Sequence, residues 1–280
     1  MADTGFVSQD AQSDFSRARR GAALNRLASR LRGQAGDVSV LLPLEEVVDA
    51  LGKVGERYIG LQTIHLDSIV GSVDRSGEFD RDFRPTSPRV RQRWMRINEA
   101  QRRGTGMPPI KVFRVGGMHF VEDGHHRVSV ACYMQLDVIE AYVTEIVTRV
   151  DPGEGLNRAM LPAKDHERLF VERVPLPRAA RERIVFTHPE DGYGEMAEAV
   201  EAWGFRLMQA LERPMDRREV AEAWWYDEYI PVSEMLEETG LRGSCTEADA
   251  YLRISRLRYQ LLRTHDWSDD IVEQLRALLA

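Results

Sequence analysis

The sequence predicts an α+β protein in which a mixed core domain is followed by an α-helical domain. Short runs rich in β-branched residues, separated by turns and helices, occupy residues 58–150. From residue 193 onward the apolar spacing is almost entirely helical. Ahead of the core, apolar residues recur every three or four positions from Asp14 to Leu31, which indicates an amphipathic helix.

These patterns divide the chain into consecutive segments, each with its own character. We expect an unstructured leader at 1–13, N-terminal helices at 14–57 with the basic amphipathic helix at 14–32, the mixed core at 58–150, an irregular proline-bearing bridge at 151–192, and the helical domain at 193–280. The second N-terminal helix is expected at Leu44–Leu51, after Pro43 and before Gly52.

Local signals place the elements within the core and the tail. In the core they predict a strand and turn at 64–73, an irregular loop over a site at 74–88, a helix at 89–103, a hairpin of strands 110–115 and 118–122, a helix at 128–134 and a strand at 138–147. In the tail they predict helices at 195–211, 217–226, 232–238, 246–263 and 268–279.

The composition excludes several broad classes of protein. With 43% hydrophobic and 30% charged residues among 280, the chain is neither wholly disordered nor fibrous. No apolar run approaches the roughly 20 residues that a membrane span needs. The two cysteines are far apart and no signal peptide is recognisable, so we expect a cytoplasmic protein.

The formal net charge of −7 conceals a basic segment near the N-terminus. Residues 1–150 carry 21 Lys and Arg against 19 Asp and Glu, whereas the remainder carries 17 against 26. The amphipathic helix is the strongest basic cluster, and its candidate nucleic-acid ligands are Arg17, Arg19, Arg20, Arg26 and Arg30. An ordinary solvated helix face and a membrane-surface contact remain alternatives.

A candidate anion site follows the predicted hairpin. The first N–H groups of a helix point outward at the positive end of its dipole, so Gly124, His125, His126 and Arg127 form a natural cradle for phosphate. Asp123 is suited instead to orienting a histidine, holding Mg²⁺ or accepting a proton from a hydroxyl. A capped helix with ordinary histidines explains the same spacing, and no standard metal-site spacing is present.

The stretch from Pro108 to Ile146 resembles the ParB/sulfiredoxin-like domain, in which a hairpin, a loop of G-x-H-R type, a helix and a closing strand occur in this order. Residues 64–69 resemble the opening strand of that domain, and the match covers residues 58–148. The whole chain also resembles bacterial ParB-domain proteins of unassigned function, through an aromatic segment at 223–229 and a second segment at 246–251.

The resemblance implies a nucleotide-binding regulatory protein whose phosphates lie on the Asp123–Arg127 loop. It adds Ser72 and Arg75 as nucleotide-binding residues, and Asp74 joins Asp123 as a candidate catalytic carboxylate. The nucleotide is CTP, ATP or ADP with Mg²⁺, and no metal is assigned to a site of the chain itself. DNA contact through the basic helix, a role in transcription or chromosome partitioning, and a homodimer are further implications.

Three activities compete within this superfamily. Sulfiredoxins have a cysteine where this chain has His125, which argues against sulfinic-acid repair. ParB proteins add a helix-turn-helix domain, and the acidic tail contains no persuasive motif of that kind. Free-serine kinases share the Asp-Gly-His-x-Arg loop but place a glutamate where this chain offers Ser72 and Asp74. A small-molecule phosphotransferase, a nucleotide hydrolase and a non-catalytic scaffold therefore stay open.

Overall fold

A six-stranded mixed β-sheet lies at the centre of the first of two units in the computed structural model. The units comprise residues 1–161 and 162–280. The structure describes residues 5–31, 40–74, 77–265 and 267–279. Arg75, the side chain of Arg30 and residues 1–4 of the expected leader lie outside this description.

The elements of each unit follow one another with short connections. The first unit contains α1 (Val7–Leu31), β1 (Leu42–Pro43), α2 (Leu44–Leu51), β2 (Lys53–His65), β3 (Ile69–Ser72), α3 (Arg91–Arg102), β4 (Ile110–Val115), β5 (Met118–Asp123), α4 (His125–Tyr133) and β6 (Val138–Thr148). The second contains α5 (Leu161–Arg173), α6 (Arg178–Arg181), α7 (Pro189–Leu211), α8 (Arg217–Trp224), a π-helical turn (Trp225–Tyr229), α9 (Ile230–Glu238), α10 (Glu247–Leu262) and α11 (Asp269–Leu279).

The sheet has the strand order β1-β3-β5-β4-β6-β2. Strands β1 and β3, β3 and β5, and β4 and β6 pair in parallel, whereas β4–β5 and β2–β6 are antiparallel. The predicted hairpin is confirmed as β4 and β5, and Gly116 in its turn has φ 58°. A Cβ atom at Gly116 would lie 2.7 Å from Cγ of Pro152, so this turn requires glycine for two reasons.

Helices α1, α3 and α4 pack together around Trp94. The Trp94 ring makes edge contacts with Phe15 of α1 and Tyr133 of α4, and its indole Nε1–H donates a hydrogen bond of 2.8 Å to Ser129 Oγ. Trp94 is fully buried, and Phe120 of the central strand is fully buried as well. The α+β class is confirmed in this broad sense, with helices and a mixed sheet sharing one core.

Three predictions about the extent of the helices and strands were wrong. Helix α1 begins at Val7, inside the expected leader, because the buried small residue Ala11 extends its packed face without a strong apolar signal. Strand β2 extends back to Lys53, although most of its side chains are exposed at the sheet edge and so show no alternation. The expected bridge contains α5 and α6, since Pro162, Pro177 and Pro189 lie at helix starts, where proline is tolerated.

The remaining helix predictions are confirmed within three residues at their ends, except that α7 begins at Pro189, six residues before its predicted start. Helix α2 has the predicted bounds, and Thr246 Oγ1 accepts from Asp249 N as the N-cap of α10. The tail differs at 225–229, where one π-helical turn continues α8 into α9. None of the helices in the described ranges is both long and apolar enough to cross a lipid bilayer.

His119 on β5 is a buried titratable group that shapes the pH dependence of this core. Ser68 Oγ donates to His65 O at 2.5 Å, so at the 2.9 Å contact with His119 Nδ1 the imidazole is the donor. Burial, followed by the nearby charge of Arg114, lowers the pKa of His119 from 6.5 to about 4. The folded state therefore holds this ring neutral through most of the acidic range.

We expect the free energy of unfolding to fall by about 2 kcal/mol between pH 7.5 and pH 5 because of His119. The unfolded chain takes up the imidazole proton near pH 6.5, whereas the folded chain does so near pH 4. The contribution of His119 is thus complete above pH 6.5 and is lost as the pH falls. Urea unfolding of the wild type and of His119→Gln, at both pH values, should show a smaller pH effect in the variant. An identical pH effect in both proteins would contradict this assignment.

Candidate functional site

The loop between β5 and α4 is built around Gly124. This residue is the N-cap of α4 and has φ 108° and ψ 16°, a left-handed conformation that turns the chain directly from strand to helix. A Cβ atom there would lie 2.5 Å from Ile110 Cγ2 and 3.1 Å from Arg127 Nε. The amides of Arg127 and Val128 both donate to Gly124 O, which closes the first turn of α4. Glycine therefore allows the strand, the helix and β4 to meet.

The Arg127 guanidinium holds this loop against the start of β4. Nη1 donates to the carbonyl oxygens of Pro108 and Pro109 at 2.6 and 2.8 Å, and Nη2 donates to Asp123 Oδ2 at 2.6 Å. The Arg127 side chain is mostly buried, whereas 56% of the Asp123 side chain is exposed. An incoming anion would have to compete with Asp123 for Nη2. The contacts of Arg127 with Asp123, Pro108 and Pro109 therefore give it the role of positioning the loop.

The two histidines of the loop pack inward. His125 Nε2 lies 2.7 Å from Ser72 Oγ, which brings together two residues predicted to share a site. The His125 ring stacks on Phe79 at a centroid distance of 6.3 Å, and the His126 ring meets the same phenyl ring edge-on at 5.4 Å. Both histidines are at least 95% buried. A role for them in phosphate binding stays a prediction, and their packing role is clear.

A cleft of about 130 Å³ opens at the N-terminus of α4. It gathers six of the predicted site residues with three that were not predicted. The predicted residues are Asp74, Asp123, Gly124, His125, His126 and Arg127, and the others are Arg93, Ile97 and Glu122. Arg93 and Ile97 stand four residues apart on α3 and so lie on one face of that helix, but this spacing by itself does not indicate a cleft.

A second cleft of about 270 Å³ adjoins the first and shares Ile97 and Arg127 with it. Its walls are mostly apolar, with Val130 and Ala131 from α4 and Ile139 from β6. The turn 104–108 and the side chains of Gln101, Leu136, Val138 and Glu140 complete it. Charged and apolar surfaces thus lie on either side of Arg127, an arrangement suited to a ligand with a polar and a less polar part.

The charges around the first cleft are mixed. Arg93 and Arg127 face the carboxylates of Asp74, Glu122 and Asp123, and Asp123 already pairs with Arg127. Among the described residues, no group of three or more His, Cys, Asp and Glu side chains is arranged to hold a metal ion. A bare polyphosphate would meet two acids here that have no basic partner of their own in the cleft.

Other predicted residues lie away from this cleft. Asp80, which lies in the loop predicted to cover a site, is buried, and its pKa is raised by that burial. Arg17, Arg19, Arg20 and Arg26 are exposed on α1 and do not line the cleft. On the same helix Leu24, Leu27 and Leu31, expected to face the core, are also exposed. The packed face of α1 is formed instead by Phe15, small alanines and the buried Asp10 and Asp14.

The comparisons with known proteins add no name to this fold and site. No family model matches the chain, and neither a curated protein nor a solved structure matches it. The fold and the loop define an α+β chain whose core carries a glycine-capped polar loop beside a small charged cleft. The ParB/sulfiredoxin-like assignment stays a prediction that depends on the residues themselves.

Proposed function

We propose that the chain is a nucleotide-binding regulatory protein with a ParB/sulfiredoxin-like core, and that the Asp123–Arg127 loop receives the phosphates. The observation that carries the proposal is Gly124, whose left-handed conformation sets the N-terminus of a nine-residue helix at a cleft containing Arg93 and Arg127. Helix N-termini and guanidinium groups are both favourable for phosphate oxygens.

The two adjoining clefts support a ligand larger than phosphate. The smaller cleft has room for phosphate groups, and the larger, mainly apolar one has room for a nucleoside. Asp74 and Glu122 would repel a free polyphosphate, whereas a Mg²⁺–nucleotide complex brings the cation that these carboxylates favour. CTP, ATP and ADP, each with Mg²⁺, are therefore the ligands to test.

We expect Arg93→Gln to weaken nucleotide binding by about tenfold or more, because a charge-assisted contact with phosphate is lost. Arg93 is exposed on α3, so its replacement leaves the core intact. Arg91→Gln is the matched control, since Arg91 is exposed on the same helix, about 200° around its axis. Isothermal titration with CTP, ATP and ADP in the presence of Mg²⁺ measures the effect.

Equal affinities for the wild type and Arg93→Gln, or no binding of any of the three nucleotides, would refute the proposal. Arg127→Ala is a poor first test, because Arg127 also holds Pro108 and Pro109 in place. Thermal unfolding of each variant without ligand shows whether its core is intact.

A small-molecule phosphotransferase is the second candidate, and the exposure of Asp123 beside Asp74 in the cleft favours it. In that case Asp123 accepts the proton of a substrate hydroxyl. Asp123→Asn then abolishes turnover while nucleotide binding persists or strengthens, because one repelling charge is removed. If the nucleotide binds but no amino acid or sugar of a test panel is phosphorylated, the regulatory function stands. Nucleotide turnover without an acceptor would instead identify a nucleotide hydrolase.

The proposal also includes DNA contact, through a surface that is separate from the nucleotide loop. The exposed guanidinium groups of Arg17, Arg19, Arg20 and Arg26 follow α1, and their charge favours a polyanion. Deleting α1 is unsuitable as a test because Phe15 packs against Trp94. Homodimer formation, a cytoplasmic location and a role in transcription or partitioning also remain parts of the proposal.

A further inference from the structure

A cavity of about 700 Å³ lies in the first unit between α1, the turn after β2, the loop 81–85 and α4. It is larger than either cleft at the Gly124 loop and shares no residue with the charged cleft there. Its volume falls within the range of ordinary small-molecule sites. The proposed nucleotide function makes no use of it.

The interior of this cavity is largely apolar and its rim is basic. Ala18 of α1, Ile69 of β3 and Phe83 of the loop contribute apolar surface. The guanidinium groups at the rim come from Arg17 on α1 and from Arg81 and Arg84 on the loop. The cavity therefore combines an apolar wall with several cationic groups.

The loop that presents two of these arginines is held by Asp80. Its buried Oδ1 accepts hydrogen bonds from the amides of Asp82 and Arg84, at 3.1 and 2.8 Å. Phe83, which follows Asp82, is buried with φ 54°, a conformation that costs a bulky residue about 1–3 kcal/mol. The surrounding packing holds this strained turn in place, and Arg81, Phe83 and Arg84 of the same loop all line the cavity.

The arginines at the rim differ in how they are engaged. Arg84 Nη1 pairs with Asp82 Oδ2 at 3.0 Å, and Arg17 lies near the Tyr133 hydroxyl. Arg81 is exposed, and it makes no hydrogen bond or ion pair with any residue in the described ranges. Asp67 and Asp82 also line the cavity, and Asp82 is already paired with Arg84, so three guanidinium groups stand against two carboxylates there. The balance of charge favours an anion.

We propose that this cavity binds a small organic anion with an apolar body. The anionic group, a carboxylate or a phosphate, pairs with Arg81, and Arg17 adds a second positive charge to the same cavity. The apolar body lies against Phe83, Ile69 and Ala18, where it displaces water from apolar surface. Binding here is independent of the nucleotide loop, because the cavity and the charged cleft have no residue in common.

The test uses one apolar body with four head groups on the full chain. Octanoate and octyl phosphate carry the required anion, octanol carries no charge, and octylammonium carries the opposite charge. We expect the better of the two anions to bind at least about tenfold more tightly than octanol or octylammonium, measured by isothermal titration. The affinities of octanoate and octyl phosphate relative to each other identify which head group the cavity prefers.

Arg81→Gln tests the residue that the proposal depends on. It should reduce the affinity for the preferred anion by at least about tenfold. Arg89→Gln, another exposed arginine outside the cavity, should leave the affinity unchanged. Because Arg81 has no partner among the described residues, its replacement is not expected to alter the melting temperature.

The two cysteines give a second readout with an internal control. Cys132 lines the cavity, and burial raises the pKa of its thiol to about 11, whereas Cys245 belongs to the other unit. Bound octanoate or octyl phosphate should slow alkylation of Cys132 at alkaline pH and leave the rate at Cys245 unchanged. Equal affinity for octylammonium, unaltered anion binding in Arg81→Gln, no protection of Cys132, or no binding of either anion would each overturn the proposal.

Discussion

Gly71→Ala is expected to lower the free energy of unfolding of the first unit by about 3 kcal/mol, or to prevent it from folding. A Cβ atom at Gly71 would lie 2.2 Å from Leu42 O and 2.5 Å from Phe120 Cδ1. Gly71 pairs with Leu42 on β1 and with Phe120 on β5, so both neighbours are fixed by the sheet. Relief requires moving a backbone carbonyl as well as a fully buried phenyl ring.

Gly55→Ala is the matched control for this prediction. Gly55 lies on β2, and a Cβ atom there would have no heavy atom within 4 Å. We expect its effect to stay within about 0.5 kcal/mol. Urea unfolding followed by tryptophan fluorescence measures both variants, since Trp94 lies in the same core. Similar stability for Gly71→Ala and the wild type would mean that β1 does not pair with β3 as described.

The parts of the fold that were predicted correctly depend on short-range chemistry. Gly116 and Gly117 specify the turn of the β4–β5 hairpin, whose strands agree with the sequence to within one residue. Helix α2 ends at Gly52, which has φ 71°, and glycine is the expected residue at such an end. In each case the determining residues lie within the element, so the sequence alone contains the information.

The parts that were missed depend on contacts between distant segments. Strand β2 pairs with β6, about 85 residues later in the chain. Most side chains of β2 are exposed, so its sequence does not alternate between apolar and polar residues. Asp10 and Asp14 are buried on the packed face of α1. Because both are polar, they interrupt the apolar spacing by which the buried face of a helix is recognised. Leu24 and Leu27 were assigned to that face because they are apolar, although they are exposed.

The candidate site likewise combines features that local sequence predicts with features that depend on contacts between distant segments. The position of the loop was predictable, because Gly124 lies between the predicted strand 118–122 and the helix predicted at 128–134. Arg93 of α3 and Glu122 of β5 complete the cleft through tertiary packing that no local spacing specifies. The hydrogen bonds of Arg127 to Pro108 and Pro109 likewise became evident in three dimensions, and they give this residue a positioning role beside the predicted binding role.

The buried ion pair between α1 and α3 leads to the second large stability prediction. Arg102 Nη2 donates to Asp14 Oδ2 at 2.5 Å, and the Tyr133 hydroxyl donates to Asp14 Oδ1 at 2.7 Å. The Asp14 side chain is 2% exposed and that of Arg102 is 12% exposed. Arg102→Met leaves a buried carboxylate without its cation, so we expect a loss of about 3–5 kcal/mol in the free energy of unfolding.

The double variant Asp14→Leu/Arg102→Met separates the value of the pair from the cost of a stranded charge. Replacing both charges with apolar side chains removes the desolvation penalty together with the attraction. We therefore expect the double variant to be more stable than Arg102→Met alone, as measured by urea unfolding of all four members of the cycle. If Arg102→Met costs less than about 1 kcal/mol, the carboxylate of Asp14 is not buried against α3, and α1 does not dock on the core through this pair.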